Sequence, residues 1–172
     1  MTDQNTLVET ERAMQSRVGP LALDIEAAQA VSSIYRAANA VRMHVTKEVL
    51  RPADITWTGF VVMWVVWIWD GLETRRAAEA AAISKATLTG VVKTLEARGW
   101  MEKRGREDDR RLVEIYLTPS GVKLMEELYP KFNAIESQVV AGLSARRKNE
   151  MAASLRAIVT TIESQGDLET DD

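Results

Sequence analysis

Apolar positions recur every three or four residues through most of this chain, and two short runs alternate instead. From residue 21 to 50, Ile25, Ala28, Val31, Ile34 or Tyr35, Ala38, Val41, Val45 and Val49 follow a helical period with no Gly or Pro between them, and Pro52 marks the end. That helix is longer than a small domain needs, which points to packing against a partner chain. Residues 55–70 hold the ten-residue apolar run from Phe60 to Trp69. Its β-branched and aromatic residues favour a buried strand. The capping position of Thr56, the length, and the helical spacing of Phe60, Met63, Trp64 and Trp67 favour a helix, which is the reading adopted. Being apolar on every side, it is expected to be buried all round at the centre of the domain.

Residues 74–82 predict a short Ala-rich helix capped by Thr74, and Ile83-Ser84 a tight turn. Ser84 then caps a helix whose Leu88, Val91, Val92 and Leu95 form one apolar stripe, with Gly99 as its C-terminal stop. Its other face carries Lys85, Thr87, Thr89 and Lys93. A charged run, Lys103 to Arg111, separates a short alternation from the alternating Leu112 to Leu117, which together predict a two-stranded hairpin with a cationic tip. Residues 119–164 predict two helices. Met125, Leu128, Phe132, Ile135 and Val139 form a heptad seam, with Pro130 inside it expected to kink the helix; after Ser144, Met151, Leu155, Ile158 and Ile162 form another. Both seams call for a partner surface. Residues 1–20 read as a mobile arm and 165–172 as an acidic disordered tail.

The fold class is therefore mainly α with a small β-hairpin. A short helix, a turn and a second helix with a polar outer face are the parts of a helix-turn-helix. Such a helix fits a major groove, and a cationic ribbon beside it reaches a minor groove.

Charge changes this picture only when its placement is considered. The net charge of −3 alone argues against nucleic acid, yet residues 75–111 hold ten basic and six acidic residues, and the rest of the chain twelve and nineteen. Positive charge is concentrated where the shape already suggests DNA. There is no cysteine, a single histidine (His44), no phosphate loop and no ligand-spaced acidic cluster. Disulfides, thiol redox sensing, a metal site, a cofactor and an enzymatic role are thereby disfavoured. The first twenty residues lack a signal-peptide pattern and the ten-residue apolar run is too short to span a bilayer, so a soluble cytoplasmic protein is expected.

Three short motifs stand in order: Leu95-Glu96-Ala97-Arg98-Gly99-Trp100, Asp109-Arg110-Arg111, and Leu117-Thr118-Pro119-Ser120-Gly121. With the helix order they make residues 21–164 resemble the MarR family of winged helix-turn-helix regulators, in which L-E-x-x-G ends the recognition helix, D-x-R lies in the wing and L-T-x-x-G follows it. The resemblance implies a winged helix-turn-helix lobe (53–118) flanked by dimerisation helices (21–52 and 119–164). It implies a homodimer on a palindromic operator, usually repressing, and often released by a small aromatic or anionic effector.

On this basis Ser84, Lys85, Thr87, Thr89 and Lys93 are the candidates for groove contacts, against the alternative of a solvated helix face. Arg104, Arg106, Arg110 and Arg111 surround the wing. The resemblance implies that Asp109 orients Arg111 towards the minor groove, while Arg104 and Arg106 taken singly also fit a solvated tip. Gly90 sits where a larger side chain is expected. Either its backbone approaches something closely, or one base contact is absent. Tyr35, Arg42, His44 and Trp64 are candidates for an effector pocket with aromatic walls and a cation. Core packing for the tryptophans and surface positions for Arg42 and His44 are the preferred alternative. The competing function is a helical dimerisation or adaptor module without DNA binding.

Overall fold

A computed structural model describes residues 23–105 and 113–168, with Glu9, Arg12, Ala13, Ser16, Arg17 and Leu21 as isolated positions upstream. The arm expected over residues 1–20 therefore falls almost wholly outside the described residues, as does the wing tip, 106–112. The chain divides into two compact units, residues 1–40 and 41–172.

Helix α1 spans Ile25–Val45. It starts four residues later than the apolar pattern suggests because Asp24 caps it, accepting a hydrogen bond from Ala27 N–H at 2.9 Å. In the first unit its side chains are mostly exposed, including Val31 and Tyr35. In the second unit Val45 is fully buried, and the helix passes into a π-helical turn, Thr46–Leu50, which buries Val49 and Leu50. Arg51 N–H closes that turn on Thr46 C=O at 2.9 Å, and Pro52 follows.

Helix α2 spans Trp57–Trp69. Thr56 caps it, its Oγ1 accepting from Gly59 N–H at 3.0 Å, so the capped-helix reading prevails over strand propensity. Phe60, Val62, Met63, Val65 and Val66 are buried in the core. Burial is not all-round: Trp64, Ile68 and Trp69 are exposed, leaving one face of this apolar helix uncovered. The helix ends on two left-handed residues, Asp70 (φ 50°) and Gly71 (φ 105°).

A two-residue strand, β1 (Leu72–Glu73), comes next and was not expected from the sequence. Strands β2 (Met101–Gly105) and β3 (Val113–Leu117) form the expected hairpin, and β1 adds to β3, giving an antiparallel sheet of order β1-β3-β2. Helix α3 spans Thr74–Ala80 and is capped by position Glu73, not by the Thr74 side chain. Pairing of Glu73 with Glu114 fixes that residue as extended, so the helix can start only after it.

Helix α5 spans Pro119–Val139 and continues through Pro130. Much of its heptad seam is filled from within the chain, not by a partner. Met125 and Leu128 are buried, and Phe132 stacks on Phe60 at 4.7 Å between centroids, beside Trp57 at 6.2 Å. Helix α6 spans Ala145–Leu168, so the region expected to be tail is helical as far as Leu168. Its seam is different in kind: Met151, Leu155, Ile158 and Ile162 are all exposed. Among the described residues no helix is long and apolar enough to cross a membrane.

Candidate nucleic-acid interface

Helix α4, Lys85–Ala97, is built to present one face outward. Ser84 Oγ accepts from Thr87 N–H at 3.1 Å and starts the helix. Leu88, Val92 and Leu95 are buried and Val91 half-buried, which anchors the opposite face. The turn before it bends sharply at Ala82, in the left-handed region at φ 51°. Lys85, Thr87, Thr89, Gly90, Lys93 and Thr94 are exposed together. Thr94 was missed by sequence reasoning, although it lies seven residues, two helical turns, after Thr87.

The hydroxyls on this face are already oriented. Thr89 donates to Lys85 C=O at 2.9 Å and Thr94 to Gly90 C=O at 3.1 Å, while Thr87 Oγ1 lies 2.8 Å from Ser84 Oγ. Thr89 and Thr94 thus offer a methyl group and acceptor lone pairs rather than a donor. Nothing lies within 4 Å of a Cβ built on Gly90, so no packing within the chain requires glycine there.

Several cations around α4 are held by carboxylates. Arg75 bonds Glu79 (2.9 Å), Lys103 bonds Glu96 (2.6 Å), Arg104 bonds Glu102 (2.5 Å) and Arg98 bonds Asp54 (2.5 Å). Lys85 and Lys93, on the outward face of α4, make no ion pair among the described residues. Uncompensated positive charge therefore lies on that face.

Two of the sequence motifs meet at the end of α4. Gly99 adopts φ 69°, its N–H donates to Glu96 C=O (2.9 Å), and Trp100 N–H donates to Leu95 C=O (3.0 Å). Thr118 Oγ1 caps α5 by accepting from Gly121 N–H (3.1 Å) and donates to Gly99 C=O (2.6 Å). A Cβ on Gly121 would lie 2.0 Å from the Trp100 carbonyl oxygen. The spacing of L-E-x-x-G and L-T-x-x-G thus locks the end of α4 to the start of α5.

Of the wing candidates, Arg104 is the one described. Its guanidinium lies 4.3 Å from the Tyr116 ring centre as well as on Glu102, so it is held against the sheet. Tyr116 donates to Glu114 Oε2 at 2.7 Å, and that carboxylate raises the phenol above its ordinary pKa of about 10. Arg106, Asp109, Arg110 and Arg111 lie outside the described residues.

Two of the effector candidates share a groove. Arg42 and His44 line a groove of about 480 Å³ with Lys47, Arg51 and Trp57. Trp64 is exposed on α2 and does not line it, and Tyr35 is an exposed residue of the first unit. Trp57 is the aromatic side chain that lines this groove beside the cations. Among the described residues no group of three or more His, Asp or Glu side chains is placed to hold a metal ion.

The MarR family model matches residues 55–113, the helix-turn-helix and the start of the last strand. An HTH-type transcriptional regulator of Bacillus subtilis, YwaE, is 36% identical over 140 residues, covering 81% of this chain and 82% of that protein. BpsR of Bordetella bronchiseptica, whose DNA binding is regulated by 6-hydroxynicotinic acid, superposes with a TM-score of 0.67 at 26% identity, covering 75% of this chain and 98% of that one. A mutant MarR from Escherichia coli in complex with operator DNA has the same fold, with a TM-score of 0.67 at 19% identity over 74% of this chain and 92% of that one. These relatives are transcriptional regulators rather than enzymes, and this chain belongs to the MarR family of winged helix-turn-helix transcriptional regulators.

Proposed function

We propose that this chain acts in the cytoplasm as a homodimeric repressor that reads a palindromic operator and is released by a small anionic or aromatic ligand. The observation that carries the DNA contact is the outward face of α4, where Lys85 and Lys93 make no ion pair among the described residues while Arg75, Arg98, Lys103 and Arg104 are each bound to a carboxylate. Lys93 contacts phosphate or guanine, Thr87 a thymine methyl or a phosphate, and Thr89 and Thr94 thymine methyls. The wing arginines, Arg111 above all with Asp109 orienting it, reach the adjacent minor groove; Arg104 supports the sheet.

The exposed apolar stripes of α6 and of the first part of α1 support dimerisation, since patches of this kind on a folded chain mark association surfaces. Two copies then place their α4 helices about one helical turn, ~34 Å, apart on one face of the duplex. The groove lined by Arg42, His44, Arg51 and Trp57 suits a small aromatic acid, with the ring against Trp57 and the carboxylate among the cations. The reading is tested by selecting duplexes from random-sequence DNA with the purified protein. An inverted-repeat consensus supports it; recovery of no sequence removes the DNA function and leaves a dimerisation module.

A further inference from the structure

The C-terminal end of α4 is held sideways by a polar strut. Arg98, the C-cap residue of α4, donates through Nη1 to the backbone carbonyl of Asp54 and through Nη2 to its carboxylate, 44 residues earlier in the chain. The same guanidinium lies 4.9 Å from the centre of the Trp100 ring. Asp54 is in the left-handed region, φ 53°, in the turn that leads from the π-helical turn into α2. Carbonyl and carboxylate of one residue thus grip one fork, a geometry that a lysine cannot reproduce.

Packing does not do this work along the same flank. The buried stripe of α4 rests on the core, but between its side and the 51–57 segment runs an open groove of about 690 Å³. Ala86, Gly90 and Thr94 form one wall and Arg51 and Trp57 the other. Interdigitated side chains normally fix how far a helix is rolled about its axis. That contact is made beneath α4 by Leu88, Val92 and Leu95 but is missing on this flank, where the strut between Arg98 and Asp54 bridges the gap at one end.

We propose that Arg98 is a positioning residue for DNA recognition, which fixes the angle of α4 through Asp54 and makes no phosphate contact of its own. The proposal rests on the reading of α4 as the DNA-reading helix. It separates Arg98 from Lys93 on the same helix: one cation is committed to the protein, the other left for the duplex.

The test measures binding of a duplex selected by the wild-type protein, over a series of salt concentrations, for Arg98→Ala, Arg98→Lys and Asp54→Asn. Asn tolerates the left-handed backbone, so Asp54→Asn removes the carboxylate without straining the turn. Far-UV dichroism confirms that each variant is folded. All three variants are expected to bind about tenfold more weakly with the salt slope unchanged, because orientation is lost and no phosphate contact is. Combining Arg98→Ala with Asp54→Asn is expected to add nothing further. If Arg98→Ala lowers the slope by about one, or Arg98→Lys binds as wild type, Arg98 is a phosphate ligand and the proposal fails. Wild-type affinity in Asp54→Asn overturns it equally. A wild-type protein that selects no DNA overturns the DNA reading and the strut's role with it, whereas selection by wild type with indifferent variants overturns the strut alone.

Discussion

Gly71 lies directly beneath the Tyr116 ring: a Cβ built on Gly71 would sit 2.0 Å from Tyr116 Cε1. The backbone there is also left-handed, at φ 105°. This contact joins the end of α2 to the centre strand of the wing sheet, and Tyr116 in turn carries Arg104 on its face. Gly71→Ala is therefore expected to destabilise the protein by about 2 kcal/mol or more, from the clash and the strained backbone together. Gly90→Ala should do the reverse, raising stability by roughly 0.5–1 kcal/mol, because its Cβ meets nothing in the chain and the helix gains propensity. Thermal denaturation of the two variants decides this. If DNA approaches Gly90 closely, the same Gly90→Ala protein binds its operator more weakly while melting higher.

Arg104 and Arg111 are expected to differ. Arg104 is engaged by Glu102 and Tyr116, so Arg104→Ala should change operator affinity less than about threefold. Arg111→Ala should weaken binding at least about tenfold while leaving the dimer folded. Binding curves at near-physiological salt compare them; equal losses contradict the division of roles.

The α6 stripe predicts the assembly. Ile158 is exposed at 39% and Leu155 likewise, mid-helix, in line with Met151 and Ile162. If α6 forms the dimer interface proposed above, replacing Ile158 by Glu should place a charge at its centre and raise the dissociation constant by at least about a hundredfold. Sedimentation velocity across a dilution series reads this directly, and a dimer indifferent to the substitution places the interface elsewhere.

Tyr116 gives a pH-dependent signature of the sheet. Its phenol is raised chiefly by the hydrogen bond to Glu114, so the folded state holds the proton longer than the unfolded chain does. The stabilisation is complete below the unfolded pKa of about 10 and is lost as pH rises through the higher folded value. Ultraviolet titration should show a late-ionising tyrosine component. Tyr116→Phe should remove that component, and Glu114→Gln should move it down.

The site's scaffold is legible in the sequence because local rules determine it. Ser84 and Thr56 cap their helices, Leu88, Val92 and Leu95 are the buried stripe of α4, and Gly99 takes the left-handed stop. What escaped depends on contacts distant in sequence or on elements too short to show a period. Strand β1 has two residues, and only the position of β3 makes it a strand. It also moves the start of α3 away from the Thr74 side chain. The bond from Arg98 to Asp54 spans 44 residues, so neither charge looks committed in the sequence. Burial of α2 was overstated for a related reason: composition reveals that a helix is apolar, not which of its faces the same chain covers, and Trp64, Ile68 and Trp69 are left outside. Conversely, the α5 seam has the period of a partner surface, but Phe132 stacks on Phe60 of the same chain, a contact distant in sequence.

In the proposed function, the outward face of α4 reads DNA through Lys85 and Lys93. The most direct measurement is the salt dependence of binding to a selected duplex for the wild type and for Lys93→Ala. For the wild type, log affinity should fall steeply and linearly with log salt; Lys93→Ala should bind more weakly, with a slope smaller by about one. A slope and affinity unchanged by Lys93→Ala, in a protein that does bind the duplex, would contradict that reading.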